Sequence, residues 1–266
     1  KMDAIYLGYD PREHEAVQVL QYSIEKYAAI PLNVVTLNQD NLRRIGLYRR
    51  APHVESTCWG SGKNSDMLDC FDERPFSTEF SFTRFLTPML NQMEGYALFM
   101  DSDMFFREDP SQVFDWVRQQ EQHYPGKYAV WCVKHRYLEK EDPSQLSRKM
   151  YGCPQTSYGK KNWSSFVVWN CSHPSHRALT VDDVNTKPGR WLHQFQWLQE
   201  EEIGDLPVEW NFLDGHTDEN VKAKNVHFTT GGPWFSHWKP TRQCDQDYVQ
   251  EWKKLQEDML TPSQAH

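Results

Sequence analysis

The stretch Gly95-Tyr-Ala-Leu-Phe-Met-Asp-Ser-Asp103 decides the fold. Five apolar residues, Tyr96 to Met100, follow a glycine and end on two aspartates. A continuous apolar run of that length suits a strand buried on both faces, as in sheets covered by helices on either side. In extended backbone, residues i and i+2 share a face, so Asp101 and Asp103 emerge together at the carboxyl end of that strand. This is the edge where open α/β sheets bind ligands. Two neighbouring carboxylates repel each other, and a hard divalent cation relieves that repulsion while leaving positions for phosphate oxygens. An Asp-x-Asp alone is an ordinary acidic turn. Its place after a buried run makes it a metal-site candidate.

The chain on either side repeats the same alternation. Ala4-Ile-Tyr-Leu-Gly-Tyr9 reads as a first strand, followed by the turn Asp10-Pro11. Apolar residues at 16, 19, 20, 24 and 27 then recur at helical spacing, and Leu32 to Leu37 is a second strand. Strand, helix and strand within so short a span form a βαβ unit with parallel pairing. Residues 38–75 are polar and irregular, and predict a long loop. Phe80, Phe85, Leu86 and Leu90 mark a helix ending near Asn91. Glu108-Asp109-Pro110 starts another through Val113, Phe114 and Val117. Strands are predicted at 128–133, 166–169 and 226–228, and helices over 190–202 and 248–260. The reading is a single α/β domain over 1–240, with a C-terminal helix and tail, 241–266, packed on it.

Composition narrows the function. The chain has 266 residues, 29 basic against 37 acidic, for a net charge of −8. That balance argues against a nucleic-acid partner, which calls for a basic face. No apolar run of about 18 residues is present, so no membrane-spanning helix is expected. The six cysteines, at 58, 70, 132, 153, 171 and 244, form no C-x-x-C pair. No structural zinc site is expected, and their sparse spacing predicts free thiols and a cytoplasmic setting. The sequons at Asn162 and Asn170 read as chance tripeptides, the second within an apolar strand. Gly60-Ser-Gly-Lys-Asn-Ser65 lacks the Ser/Thr of a phosphate loop and reads as a surface loop or a loop closing over a ligand. His173 and His176 have poor spacing for a metal pair, and the run Glu200 to Glu202 reads as a solvated helix end.

A second constellation lies near the end of the chain, Asn225-Val-His-Phe-Thr-Thr-Gly-Gly-Pro-Trp234. His227 sits on a short strand, and the pair Gly231-Gly232 lets backbone approach an anion closely. A neutral imidazole beside two carboxylates completes a mixed nitrogen–oxygen site suited to Mn²⁺. The abundant aromatic residues fill a core, and some offer platforms for sugar rings. Trp210, Trp234 and Trp238 are the candidates for contact with a polyhydroxylated acceptor.

Taken in order, these residues resemble the GT-A-fold glycosyltransferases, and in particular the family-8 retaining enzymes that include glycogenin and bacterial lipopolysaccharide galactosyltransferases. Phe82-Thr-Arg84-Phe-Leu-Thr-Pro88 resembles the family's Tyr/Phe-x-Arg-x-x-x-Pro helix, and Met100-Asp-Ser-Asp103 its metal motif. Trp163-Ser-Ser-Phe-Val-Val-Trp-Asn170 resembles its following strand, Leu192-His-Gln-Phe195 its Asp-Gln-Asp segment, and His227 to Trp234 its closing motif. The likeness spans residues 4–235. It implies a Rossmann-like mixed sheet flanked by helices, Mn²⁺ or Mg²⁺, a nucleotide-diphosphate sugar donor (a UDP-sugar), a carbohydrate or glycoconjugate acceptor, and retention of configuration.

The resemblance also implies roles. Asp101, Asp103 and His227 would ligate the metal, with Asp103 taking the larger share. Tyr6, Leu7, Tyr9 and Asp10 would surround the base and ribose, and Ser102 and Arg84 would lie near the donor. Gly231, Gly232 and Trp234 would close on the diphosphate, and Gln194 would stand by the anomeric carbon. Three departures are visible. His193 and Phe195 replace the aspartates flanking the glutamine, Gly232 replaces a lysine with Lys239 a candidate substitute, and Ser164-Ser165 replace a glycine-containing pair. Two other classes use the same residues: a nucleotidyltransferase on the Asp-x-Asp site, and a non-catalytic carbohydrate-binding protein with a decayed site.

Overall fold

Strand β1 (Ala4–Gly8) passes through helix α1 (His14–Tyr27) to β2 (Asn33–Leu37), the expected βαβ unit. A short α2 (Gln39–Arg44) follows, capped by the Asn38 side chain, which accepts from the amides of Asp40 and Asn41. It stands where the sequence predicts only loop. Next come β3 (Pro52–Val54), β4 (Met67–Asp69) and β5 (Pro75–Phe76), then α3 (Thr87–Leu90), β6 (Tyr96–Met100) and β7 (Met104–Phe106). Helix α4 (Ser111–His123), β8 (Val130–Cys132), β9 (Ser147–Lys149), β10 (Cys153–Gln155) and β11 (Phe166–Asn170) lead to α5 (Val181–Thr186) and α6 (Gly189–His193). The chain closes with β12 (Ile203–Asp205), β13 (Phe212–Leu213), β14 (Asn225–His227) and α7 (Gln243–Leu260). This computed structural model describes residues 2–50, 78–136 and 159–261 in full, with the backbone of the short strands β3, β4, β5, β9 and β10 between them. The Gly60–Ser65 loop and Cys58, Cys70 and Cys153 lie outside the residues described in full. Cys132, Cys171 and Cys244 are free thiols, the first two buried.

The main sheet has the order β12-β8-β11-β6-β1-β2. β1 pairs in parallel with β2 and β6, and β8 in parallel with β12. β11 alone runs antiparallel to both its neighbours. The sheet is therefore mixed, as the resemblance implies. Alternate residues feed two cores: Tyr6, Phe99 and Trp169 on one face, Leu7, Leu98, Met100 and Phe166 on the other. Burying each such side chain contributes roughly 1.5–3 kcal/mol. Because β11 is reversed, Phe166 at its start pairs with Met100 at the end of β6. The turn before β11 therefore meets the aspartates.

A small second sheet, β13-β14-β7, grows from the chain just past Asp103. β14 is antiparallel to β7 and sets His227 opposite Met104. The Phe228 amide donates to the Asp103 carbonyl at 2.8 Å. A third core, with Val19, Phe105, Phe228 and Trp252, fastens α7 and α1 to this sheet.

The helix expected over 190–202 is a correction. It ends at His193, and Phe195 takes a left-handed φ of 54°. Such a backbone costs roughly 1–2 kcal/mol for a residue with a side chain. The turn lets Phe195, Trp191 and Trp197 converge, and Trp197 stacks on Trp169 at 6.0 Å and 7°. That packing offsets the strain.

Candidate active site

Asp101 and Asp103 emerge at the end of β6 as the strand pattern predicts, and β14 brings His227 to them. His227 Nε2 lies 3.1 Å from Asp103 Oδ1 and 3.9 Å from Asp101 Oδ2. One ligand atom of each residue lies within 4.8 Å of the others, and among the described residues this is the group of three that could hold a metal. Asp103 and His227 are buried, and Asp101 keeps partial access.

A chain of hydrogen bonds fixes what His227 presents. The Ser165 hydroxyl donates to the Asn162 carbonyl at 2.6 Å, so its oxygen accepts from the Asn211 amide at 2.9 Å. Asn211 Oδ1 then faces His227 Nδ1 at 3.0 Å and must accept its proton. In the neutral ring this leaves the lone pair on Nε2, aimed at a carboxylate, where a cation between the two atoms removes their repulsion. The donor set of one neutral imidazole and two carboxylates fits a divalent ion, and Asn211 is the outer partner that orients its histidine ligand.

Arg84 closes the other side. Its Nη1 lies 2.9 Å from Asp101 Oδ1 and donates to the Ser164 carbonyl at 2.8 Å, while Nε donates to the Ser81 carbonyl at 3.1 Å. Burial pulls the guanidinium pKa down, and the neighbouring Asp101 carboxylate pulls it back up. His193 Nδ1 meets the Ser164 hydroxyl at 2.8 Å. Burial first, and Arg84 and Arg50 next, push its pKa well below the usual histidine value. It is a neutral imidazole where the resemblance has an aspartate.

The remaining candidates divide. Ser102 is buried and donates to Glu13 at 3.2 Å. Asp10, at the end of β1, accepts from Arg12 Nε at 3.0 Å and from the Glu79 amide at 3.1 Å. Glu79 is pushed up to about 7, by burial first and then by Asp10. Tyr9 is half-buried, with its hydroxyl 3.1 Å from His14 Nδ1. Tyr6 and Leu7 point into the two cores instead, and the Tyr6 hydroxyl is spent on Asn91 at 3.0 Å. Gln194 meets Gln196 at 2.9 Å and borders a surface cavity with Lys160. The hydrogen bonds that run from this helix end toward Arg84 pass through His193.

Gly231 and Gly232 are required for a reason the sequence does not show. A Cβ on Gly231 would stand 2.0 Å from Trp238 Cδ1, and one on Gly232 2.3 Å from Trp234. Tryptophan packing accounts for both glycines. Trp210, expected as an acceptor platform, is a core residue, 3% exposed, while Trp234 and Trp238 are half-buried. His173 and His176 serve the core, each 2.9 Å from a backbone carbonyl. Asn211 escapes sequence reading, because a buried Asn inside an aromatic stretch has no periodic signature, and the sequence marks Ser165 and His193 only as departures from the family pattern.

No family model matches the chain. Protein CDI of Arabidopsis thaliana is 40% identical over 262 residues, which cover 94% of this chain and 88% of that protein. The chain belongs to the Protein CDI family. Among solved structures, the family fold is similar to the galactosyltransferase LgtC, with a TM-score of 0.52 and 13% identity over 99% of this chain and 98% of that one. It is also similar to the bifunctional glycosyltransferase WbbM, with a TM-score of 0.54 and 15% identity over 96% of this chain. The glycosyltransferase GlyE of Streptococcus pneumoniae TIGR4 gives a TM-score of 0.53 at 11% identity over 98% of this chain. The chain spans 52% of the WbbM chain and 63% of the GlyE chain. The fold of this Protein CDI relative is thus the GT-A fold of the family-8 type. No helix among the described residues is long and apolar enough to cross a membrane.

Proposed function

We propose that this chain transfers a glycosyl group from a nucleotide-diphosphate donor, a UDP-sugar, to a hydroxyl of a carbohydrate or glycoconjugate, using Mn²⁺ or Mg²⁺ and retaining configuration. One observation carries the reading. A His227 ring nitrogen and two carboxylates converge at the ligand-binding edge of a GT-A sheet, a donor set that suits a divalent cation. Asp101, Asp103 and His227 would hold the ion. When bound, it supplies Lewis-acid stabilisation of the charge that develops on the departing diphosphate.

The chain's own residues do the rest. Asp101 divides its oxygens, Oδ1 toward Arg84 and Oδ2 toward His227. The buried Arg84 is a fixed positive charge in a low-dielectric wall, where it acts more strongly than in water. Tyr9 and Asp10 border the donor's base and ribose at the end of β1. The 231–234 segment, which follows His227 directly, flanks the diphosphate. Gln194 stands by the anomeric carbon, and retention rests on the resemblance.

The test is incubation with a panel of nucleotide sugars, with and without Mn²⁺. The reading expects free nucleoside diphosphate that depends on the metal. Pyrophosphate release instead would assign a nucleotidyltransferase, and no release with any donor would assign a binding protein.

A further inference from the structure

We propose that a second cavity, between the 233–240 segment and one face of α7, binds an anionic sugar: a pyranose ring bearing a carboxylate or a phosphate. The cavity has a volume of about 490 Å³, within the range of small-molecule sites. It lies apart from the metal-site residues and does not depend on the reading of that site.

Its lining has two characters. Phe235 and Trp238 supply aromatic wall, which suits the apolar faces of a sugar ring. Trp238 is held in place, because its Nε1 donates to Thr230 Oγ1 at 3.0 Å and its ring packs edge-on to Phe228 at 5.7 Å. A wall fixed beforehand lowers the ordering cost of binding. Opposite it, α7 presents Gln246, Gln250 and Lys253 at spacings of four and three residues, which is one helix face. Lys239 faces them from the loop.

These four polar side chains make no side-chain hydrogen bond or ion pair among the described residues. Lys26, Lys134, Lys160 and Lys224, by contrast, each pair with a carboxylate. No carboxylate among the described residues lines the cavity. Two ammonium groups that share one cavity and make no ion pair among the described residues, in a chain of net charge −8, suit an anion. The two carboxamides each offer a donor and an acceptor, which matches the adjacent hydroxyls of a sugar. Charge selects the anionic group, and amides and rings select the pyranose.

The experiment is a titration of the whole chain, without nucleotide or metal, followed by the ¹H–¹⁵N signal of the Trp238 indole. That signal is assigned by its loss in Trp238→Phe. The probes are glucuronate, glucose 6-phosphate, glucose and inorganic phosphate. The proposal expects glucuronate or glucose 6-phosphate to shift the signal at least about tenfold more tightly than glucose or phosphate alone. The tighter of the two identifies an acidic glycan or a sugar phosphate as the source. Lys239→Gln with Lys253→Gln, both exposed, should weaken that binding about tenfold without moving the melting temperature. Glucose binding as tightly as glucuronate would overturn the anionic part. Phosphate matching glucose 6-phosphate, an unchanged double variant, or no shift with either acid would overturn the site.

Discussion

Asn211→Leu removes both bonds that fix His227. Asn211 is fully buried; its amide donates to Ser165 Oγ and its carbonyl accepts from His227 Nδ1. Leucine is of similar size, so the effect comes from polarity. The Nδ1 proton and the Ser165 oxygen lose their partners inside the protein. Each such loss costs about 1–3 kcal/mol, so unfolding free energy should fall by roughly 2–6 kcal/mol. The imidazole is also free to turn or to move its proton to Nε2, which takes the lone pair from the ion. Outer partners of metal ligands are typically worth about 10–100-fold in affinity. Calorimetric Mn²⁺ titration with UDP present should show a loss of that size, while Asn211→Asp, which still accepts from Nδ1, should retain binding. If Asn211→Leu is destabilised yet binds Mn²⁺ within twofold of wild type, the hydrogen-bond chain does not orient His227 and the argument fails.

Arg84→Met leaves Asp101 and two backbone carbonyls without their buried cation, and should cost about 3 kcal/mol or more in urea unfolding, along with nearly all donor turnover. Unchanged stability would mean the ion pair is solvated. Gln194→Ala should lower kcat more than donor affinity, because a group beside the anomeric carbon acts where charge builds in the transition state; a change confined to KM would make Gln194 a binding residue. His176 gives a pH prediction. Burial pushes it down to about 4 in the folded chain, against 6.5 for the free residue. Its contribution is therefore complete above pH 6.5 and is lost as pH falls from 6.5 to about 4, by roughly 3 kcal/mol in all. His176→Gln should flatten that stretch of the stability–pH curve, and an unaltered curve would exclude His176 as its source.

The central strand was legible because a strand buried on both faces must be apolar throughout, and the change to Asp101 at its end has no packing explanation. The order of the motifs carried the fold further, to a mixed sheet. What escaped reading is what tertiary packing decides. Periodicity placed Trp191, Phe195 and Leu198 on one helix, yet stacking of Trp197 on Trp169 turned the chain at Gln194. Gly231 and Gly232 looked like an anion cradle, yet two indoles occupy the space their side chains would fill. His227 was legible beside its glycines, but Asn211 was not. Its role follows from a proton direction set at Ser165, and that exists only once the chain is folded.

The most direct test is Mn²⁺ binding in the presence of UDP, wild type against Asp103→Asn. Asparagine keeps the shape of a buried side chain and removes one of the two charges facing the His227 lone pair. The account predicts saturable binding of one ion by wild type, and a loss of at least about tenfold in Asp103→Asn with the fold intact. Equal affinity in the two proteins would contradict it.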